Sequence, residues 1–211
     1  PEAVRETPTR PVSRLTDYTG QVMLEDLEAG TSYRIKVEVL DGHRRPSAAA
    51  MGRFRTAPDA GAVEPVTGLV VTCQGIGTAD DPLKGHWIYH DMLRHNADSF
   101  VHTGDVLYYD RDDTGSQGLS KTVEAARQRW HRMFAYSWNR DFHHTLASYY
   151  MKDDHDTLKD DCWPGQHYGD LSFEEGLVLF AEQTPSGSLP YRTVRWGRDL
   201  QVWFLEGRDY R

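Results

Sequence analysis

The sequence predicts an α/β protein of the α+β kind, one parallel sheet with flanking helices, preceded by a smaller β unit. Three observations carry this. From Thr67 onward, short apolar runs alternate with an amphipathic one in the order strand, helix, strand, a rhythm that builds parallel pairs through crossovers. Before that point, Tyr33, Ile35, Val37 and Val39 alternate with Arg34, Lys36 and Glu38, the period of a strand with two unlike faces. Finally, three apolar runs lead into side chains that carry metal-binding atoms: Cys73, then Asp105 with Tyr108, then Asp154 with His155. Open α/β sheets bind ligands at such strand ends.

Taken in order, residues 1–58 form the β unit, and Gly30 supplies the turn before the alternating strand. Residues 59–66, rich in Pro, Gly and Ala, read as a linker. Residues 67–211 make the second unit. Its first strand is expected at 68–73 and to be buried. A helix is expected over 82–96: Asp80 or Asp81 can cap it, Pro82 suits its first turn, and Leu83, Trp87, Ile88 and Met92 supply an apolar stripe. The strand 99–103 closes the crossover. Residues 111–120 read as a loop. A long helix is expected over 121–138, with Val123, Ala126, Trp130, Met133 and Phe134 facing the core, then a strand at 148–152. A helix at 172–183 buries Phe173, Leu177 and Phe180. The turn at 196–200 joins two closing strands as a hairpin.

A chain of 211 residues with 38% hydrophobic and 27% charged residues is an ordinary globular composition. Its net charge of -8 argues against a nucleic-acid or anionic-membrane surface. No apolar run approaches the ~20 residues that span a bilayer. The two cysteines, Cys73 and Cys162, can form a disulfide; the favoured reading makes Cys73 a metal thiolate and Cys162 a packing residue.

Oxygen, imidazole and thiolate donors at one sheet edge suit a transition-metal site. Asp105 has two carboxylate oxygens and can bridge a pair of cations. Tyr108 can bind as a phenolate, and since a free phenol ionises only near ~10, a thiolate beside it favours Fe3+. Asp110, Asp112 and Asp113 can feed a calcium ion or form an acidic surface loop. Arg208 can pair with a phosphate or make a salt bridge. His102 is placed to orient the Asp105 loop from beneath, whereas His86, His90, His95, His131, His143 and His144 read as surface or helix-face residues.

In sequence, Cys73-Gln74, then His102-Thr103-Gly104-Asp105-Val106-Leu107-Tyr108, then Asp153-Asp154-His155-Asp156, then the strands around Tyr191 and up to Arg208, resemble the PhoD-type alkaline phosphatase/phosphodiesterase family of metallophosphoesterases, related to purple acid phosphatases. Residues 27–33 and 52–58 resemble the second half of a fibronectin type III β-sandwich. The first resemblance implies hydrolysis of phosphodiesters or phosphomonoesters by a metal-bound hydroxide at a dinuclear site. It puts Cys73, Asp105 and Tyr108 on iron and Asp154 on a second divalent metal, where relatives usually have asparagine. The extra charge makes calcium the better fit over zinc or manganese. His155 then contacts substrate and protonates the leaving group. The resemblance also implies a secreted, periplasmic or cell-surface protein.

Two features of that pattern are missing. The sandwich lacks its first strands, and the later histidines that complete the second metal do not occur, since no histidine follows His167. The expectation is therefore a piece of a longer hydrolase that binds metal weakly by itself. Non-catalytic binding on the same fold, and hydrolysis of sulfate or phosphonate esters, are the alternatives.

Overall fold

The computed structural model describes residues 4–111, 119–187 and 189–210. Strands β1 (Ser32–Leu40) and β2 (Pro46–Arg55) pair antiparallel as a hairpin, with Tyr33 stacked on Phe54 at 5.7 Å between ring centroids. Among the described residues these two strands form a sheet of their own. The expected fibronectin-type sandwich is not confirmed: among the described residues no second sheet lies over the hairpin, and Val37 and Val39 of its apolar face are exposed, as is Met51 on the other face. The hairpin is tied to the rest by the Arg53 N–H, which donates to the His144 carbonyl at 2.7 Å, and by Arg55, paired with Asp98 at 3.2 Å.

The expected parallel sheet is present. It has the order β3 (Gly68–Val71), β4 (Ser99–His102), β5 (Ala147–Tyr150), all parallel, with Gly68 opposite Ser99 and Ser99 opposite Ala147. Central β4 is almost wholly enclosed. On one face Phe100 packs with Tyr89 and Met92 of α1 (Trp87–Met92) and with Phe142 of α3 (Ser137–His143), a small aromatic core. By contrast β3 is an edge strand and is not buried: Val70 is 64% exposed, because nothing among the described residues covers that side.

Two helices differ from expectation for one shared reason. Residues 81–85 form a tight turn instead of a first helical turn: Asp81 and Gly85 exchange two backbone hydrogen bonds, and the Asp81 carboxylate accepts from the Leu83 and Lys84 amides. Gly85 has φ +90°, and a Cβ there would lie 2.6 Å from Cβ of Tyr136. The α-helix therefore starts only at Trp87, whose amide is capped by Asp80 at 2.8 Å, and Leu83, Trp87 and Ile88 stay exposed while Tyr89 and Met92 are buried. The same turn docks where the long second helix breaks: α2 (Val123–Ala135) ends at Tyr136 (ψ 125°), and α3 restarts beyond it with the Trp138 amide donating to the Lys84 carbonyl.

The larger core joins α2 to α4 (Phe173–Gln183) through Trp130, Met133, Phe173, Leu179 and Phe180. Between them lie two short strands, β6 (His167–Tyr168) and β7 (Leu171–Ser172). Ser172 starts α4 as a reciprocal cap with Glu175, satisfying two amides that would otherwise have no partner. The closing hairpin is as expected, β8 (Arg192–Trp196) against β9 (Leu200–Phe204), turning at Gly197 with φ +69°. Phe204 lies against Tyr149 of β5, so the hairpin covers part of the second face of the sheet. No helix among the described residues is long and apolar enough to cross a membrane.

Candidate functional site

The site grows from the C-terminal ends of β3, β4 and β5. Each strand is followed by a loop whose backbone is bent by hydrogen bonds to its neighbour. The Cys73 amide donates to the Gly104 carbonyl at 3.2 Å and the Gln74 amide to the Asp105 carbonyl at 2.7 Å. Making those bonds puts Cys73 (φ 56°) and Asp105 (φ 55°) in the left-handed region, which side chains with a Cβ adopt at a cost of about 1 kcal/mol or more each. Between them Gly104 (φ 111°) passes so close to the third loop that a Cβ would sit 2.7 Å from that of Asp153. Only glycine fits.

Asp156 joins the second and third loops. Fully buried, its carboxylate accepts the Val106 amide at 2.9 Å through Oδ2 and the Asp153 amide at 2.7 Å through Oδ1. Burial raises its pKa well above the usual carboxylate range. Below the loops, His102 is enclosed and its Nδ1 takes the Gly104 amide at 3.4 Å, a long contact on the side the sequence assigned to it. Burial lowers the His102 pKa to about 4.

Within this frame Asp105, Asp154 and His155 come together: one ligand atom of each lies within 4.8 Å of the others, and all three are buried. Around Asp105 stand two further expected residues. Cys73 Sγ is 3.5 Å from its Oδ2, and the Tyr108 hydroxyl donates to the same oxygen at 3.1 Å. Burial raises the Asp105 pKa, since no charge nearby fully offsets the lost hydration. Its other oxygen, Oδ1, is buried with no hydrogen-bond partner. A thiol and a phenol on one oxygen of Asp105, with its other oxygen unpartnered and Asp154 and His155 close by, are a donor set that fits a cation. Tyr108 is pushed up in pKa by burial and then by Cys73 and Asp105, so as a ligand it would need a strongly Lewis-acidic ion.

His155 is held by a residue the sequence did not assign to it. Its Nδ1 is 2.7 Å from Oδ1 of Asp110, while Oδ2 of Asp110 takes the Asp160 amide. Although burial alone would lower it, the hydrogen bond to Asp110 and the charges of Asp110, Asp105 and Asp154 raise the His155 pKa. Asp110 and His155 lie 45 positions apart on separate loops, and nothing in the sequence signals this pairing. Of the acidic loop expected to feed calcium, Asp112 and Asp113 lie outside the described residues, as does most of 111–120.

Arg208 is placed differently from the expected phosphate contact. Its Nε pairs with Asp153 at 2.6 Å, Nη1 with Asp161 at 3.1 Å and Nη2 with Asp154 at 3.5 Å. The many carboxylates of this loop attract the nearest cation, which makes the salt-bridge alternative the observed one. Both cysteines are free, Cys73 exposed and Cys162 buried in the larger core, where its Sγ donates to the Asp154 carbonyl. Of the histidines read as surface or helix-face residues, His86 is buried and bonds to Gln74 and the Gly75 carbonyl, and His143, half-buried at the end of α3, packs among Phe100, Phe142 and Tyr150.

No protein-family model matches the chain, and no curated protein matches it. Among solved structures it is similar to that of PhoD, at 20% identity and a TM-score of 0.67, over 88% of this chain and 38% of the other. It is also similar to purple acid phosphatase PPD1 from yellow lupin (Lupinus luteus) seeds, at 15% identity and a TM-score of 0.54, over 82% of this chain and 30% of the other. The chain thus spans well under half the length of either neighbour. Its fold, over most of its residues, is the one PhoD shares with purple acid phosphatase, in agreement with the resemblance its strand-end motifs carry.

Proposed function

We propose that this chain is the metal-bearing part of a phosphoester hydrolase of PhoD type, acting on phosphomonoesters or phosphodiesters. One observation carries the reading: Asp105, Asp154 and His155 are gathered in a buried cluster, with Cys73 and Tyr108 both on Asp105 and one Asp105 oxygen left without a partner. Cys73, Asp105 and Tyr108 would hold iron, and Asp105 with Asp154 a second divalent ion, calcium by charge. Bound there, the ions would supply Lewis acidity for a phosphoryl group.

The chain's own residues account for the rest. Asp110 fixes the ring of His155 and favours its protonated form, so that Nε2 can donate a proton to the departing oxygen of an ester. Asp156 keeps the Asp105 and Asp154 loops in register, and Arg208 restrains Asp153, Asp154 and Asp161. We further assign residues 1–58 to a separate β unit, 59–66 to a linker and 67–211 to the hydrolase unit, and place the protein outside the cytoplasm.

The test is a calorimetric titration of the chain with iron, calcium, zinc and manganese, beside hydrolysis of nitrophenyl phosphate and bis-nitrophenyl phosphate. Saturable binding lost in Asp105→Asn and weakened in Cys73→Ser, with hydrolysis that follows metal occupancy, is the expected result. Metal binding indifferent to both substitutions would overturn the reading. Binding without hydrolysis of either ester would favour a non-catalytic role.

A further inference from the structure

We propose that Arg111 is the residue of this chain that grips the anionic oxygen of the substrate, an assignment that rests on the phosphoester reading above. The problem it solves is electrostatic. The walls of the site carry Asp105, Asp110, Asp153, Asp154, Asp156, Asp160 and Asp161, and a phosphate ester is itself an anion. A fixed cation facing it, besides any metal, would ease its approach.

Arg208 does not meet that need. Three of its nitrogens are committed to Asp153, Asp154 and Asp161, and a guanidinium so neutralised has little left for a further anion. Lys152 is enclosed by Glu206 and Asp209 on the far side of the same loop. Arg111 stands apart. It is exposed, and its guanidinium carbon lies 4.1 Å from the centre of the Tyr108 ring. No carboxylate among the described residues is paired with it.

That perch is fixed from two sides. Tyr108 is anchored through its hydroxyl to Asp105 and lies 4.4 Å, centroid to centroid, from the His155 ring. The chain before Arg111 is pinned to the His155 loop twice, by the Tyr109 amide on the His155 carbonyl and by Asp110 on His155 Nδ1. A guanidinium stacked on an aromatic face keeps its in-plane N–H groups free, and these match two oxygens of a phosphoryl group. Arg111 and His155 thus touch the same ring, one offering a permanent charge and the other a proton. Substrates with a dianionic phosphoryl group, monoesters, gain more from such a contact than monoanionic diesters.

The test uses the metal-loaded full chain and phenylphosphonate, a monoester mimic that is not cleaved, titrated calorimetrically into the native protein, Arg111→Ala and Arg111→Lys. Arg111→Ala should weaken binding about tenfold or more, and Arg111→Lys by less, because lysine keeps the charge but not the fork. In hydrolysis, KM for a monoester should rise by a similar factor while kcat changes little, and KM for a diester should rise less. The melting temperature should stay unchanged, since the side chain is exposed. Native affinity and native KM in Arg111→Ala would overturn the assignment and leave the hydrolase reading standing. A native chain that neither binds phenylphosphonate nor cleaves an ester would overturn both.

Discussion

Nδ1 of His155 lies 2.7 Å from Oδ1 of Asp110, a residue 45 positions earlier in the chain. The pair keeps the imidazole protonated to higher pH and holds its plane at once. Asp110→Asn should therefore lower kcat about tenfold or more for esters of alkyl alcohols, which leave poorly without a proton. Nitrophenyl esters, whose leaving group is stable as an anion, should lose much less. A steady-state comparison of the two ester types checks this, and equal losses would contradict the proton-donor role.

Asp156 is the tie between the loops of Asp105 and Asp154. Removing it in Asp156→Ala leaves the buried Val106 amide and the half-buried Asp153 amide without their partner, at about 1–3 kcal/mol each. The expected loss is about 3 kcal/mol of unfolding free energy, read as a lowered urea midpoint, together with weaker metal binding by calorimetry. A midpoint within error of the native chain would rule out the tie.

Helix α4 runs against the third site loop at Gly176, where a Cβ would press into the Thr157 carbonyl oxygen well inside van der Waals contact. Gly176→Ala should cost about 2 kcal/mol or more, because neither a helix backbone nor the loop below it can yield freely. Gly42→Ala, whose added methyl meets nothing within 4 Å, is the control and should be near neutral. Thermal unfolding of the two variants decides it.

His143 is half-buried between aromatic rings, and desolvation, then the neighbouring His102 and His144, lower its pKa to about 3. The unfolded chain takes up a proton near pH 6.5 that the folded chain refuses until about 3, so stability falls as pH falls across that window. The slope from this residue approaches about 1.4 kcal/mol per pH unit at most. Unfolding free energies measured from pH 7 to pH 4 should show a shallower fall in His143→Gln; an identical slope would remove His143 from the account.

How much of this was readable beforehand follows from the kind of signal each feature leaves. Parallel strands, their order and the residues at their ends are written locally, as apolar runs and what comes next, so Cys73, Asp105, Tyr108, Asp154 and His155 were legible as a group. The closing hairpin and the start of α4 were legible for the same reason. Periodicity, however, reports which face is apolar and not where a helix breaks; the interruption at Tyr136 depends on the turn at Gly85, 51 residues away in sequence. Asp156 looks like a surface carboxylate because its partners are backbone amides, which have no letter in a sequence. For Arg208 the sequence left phosphate contact and salt bridge open, because the carboxylates that bind it lie on a different loop.

Cys73 and Asp105 hold a backbone shape that glycine would take without strain. A chain selected only for resistance to unfolding would lose both side chains early, since Cys73→Gly or Asp105→Gly relieves the backbone and, at 105, a carboxylate oxygen that hydration no longer reaches. The strand ends are thus the places where durability and chemistry pull the sequence in opposite directions. Stabilising substitutions found by screening for heat tolerance alone would be expected to gather there, and to be the ones that erase whatever the cluster does.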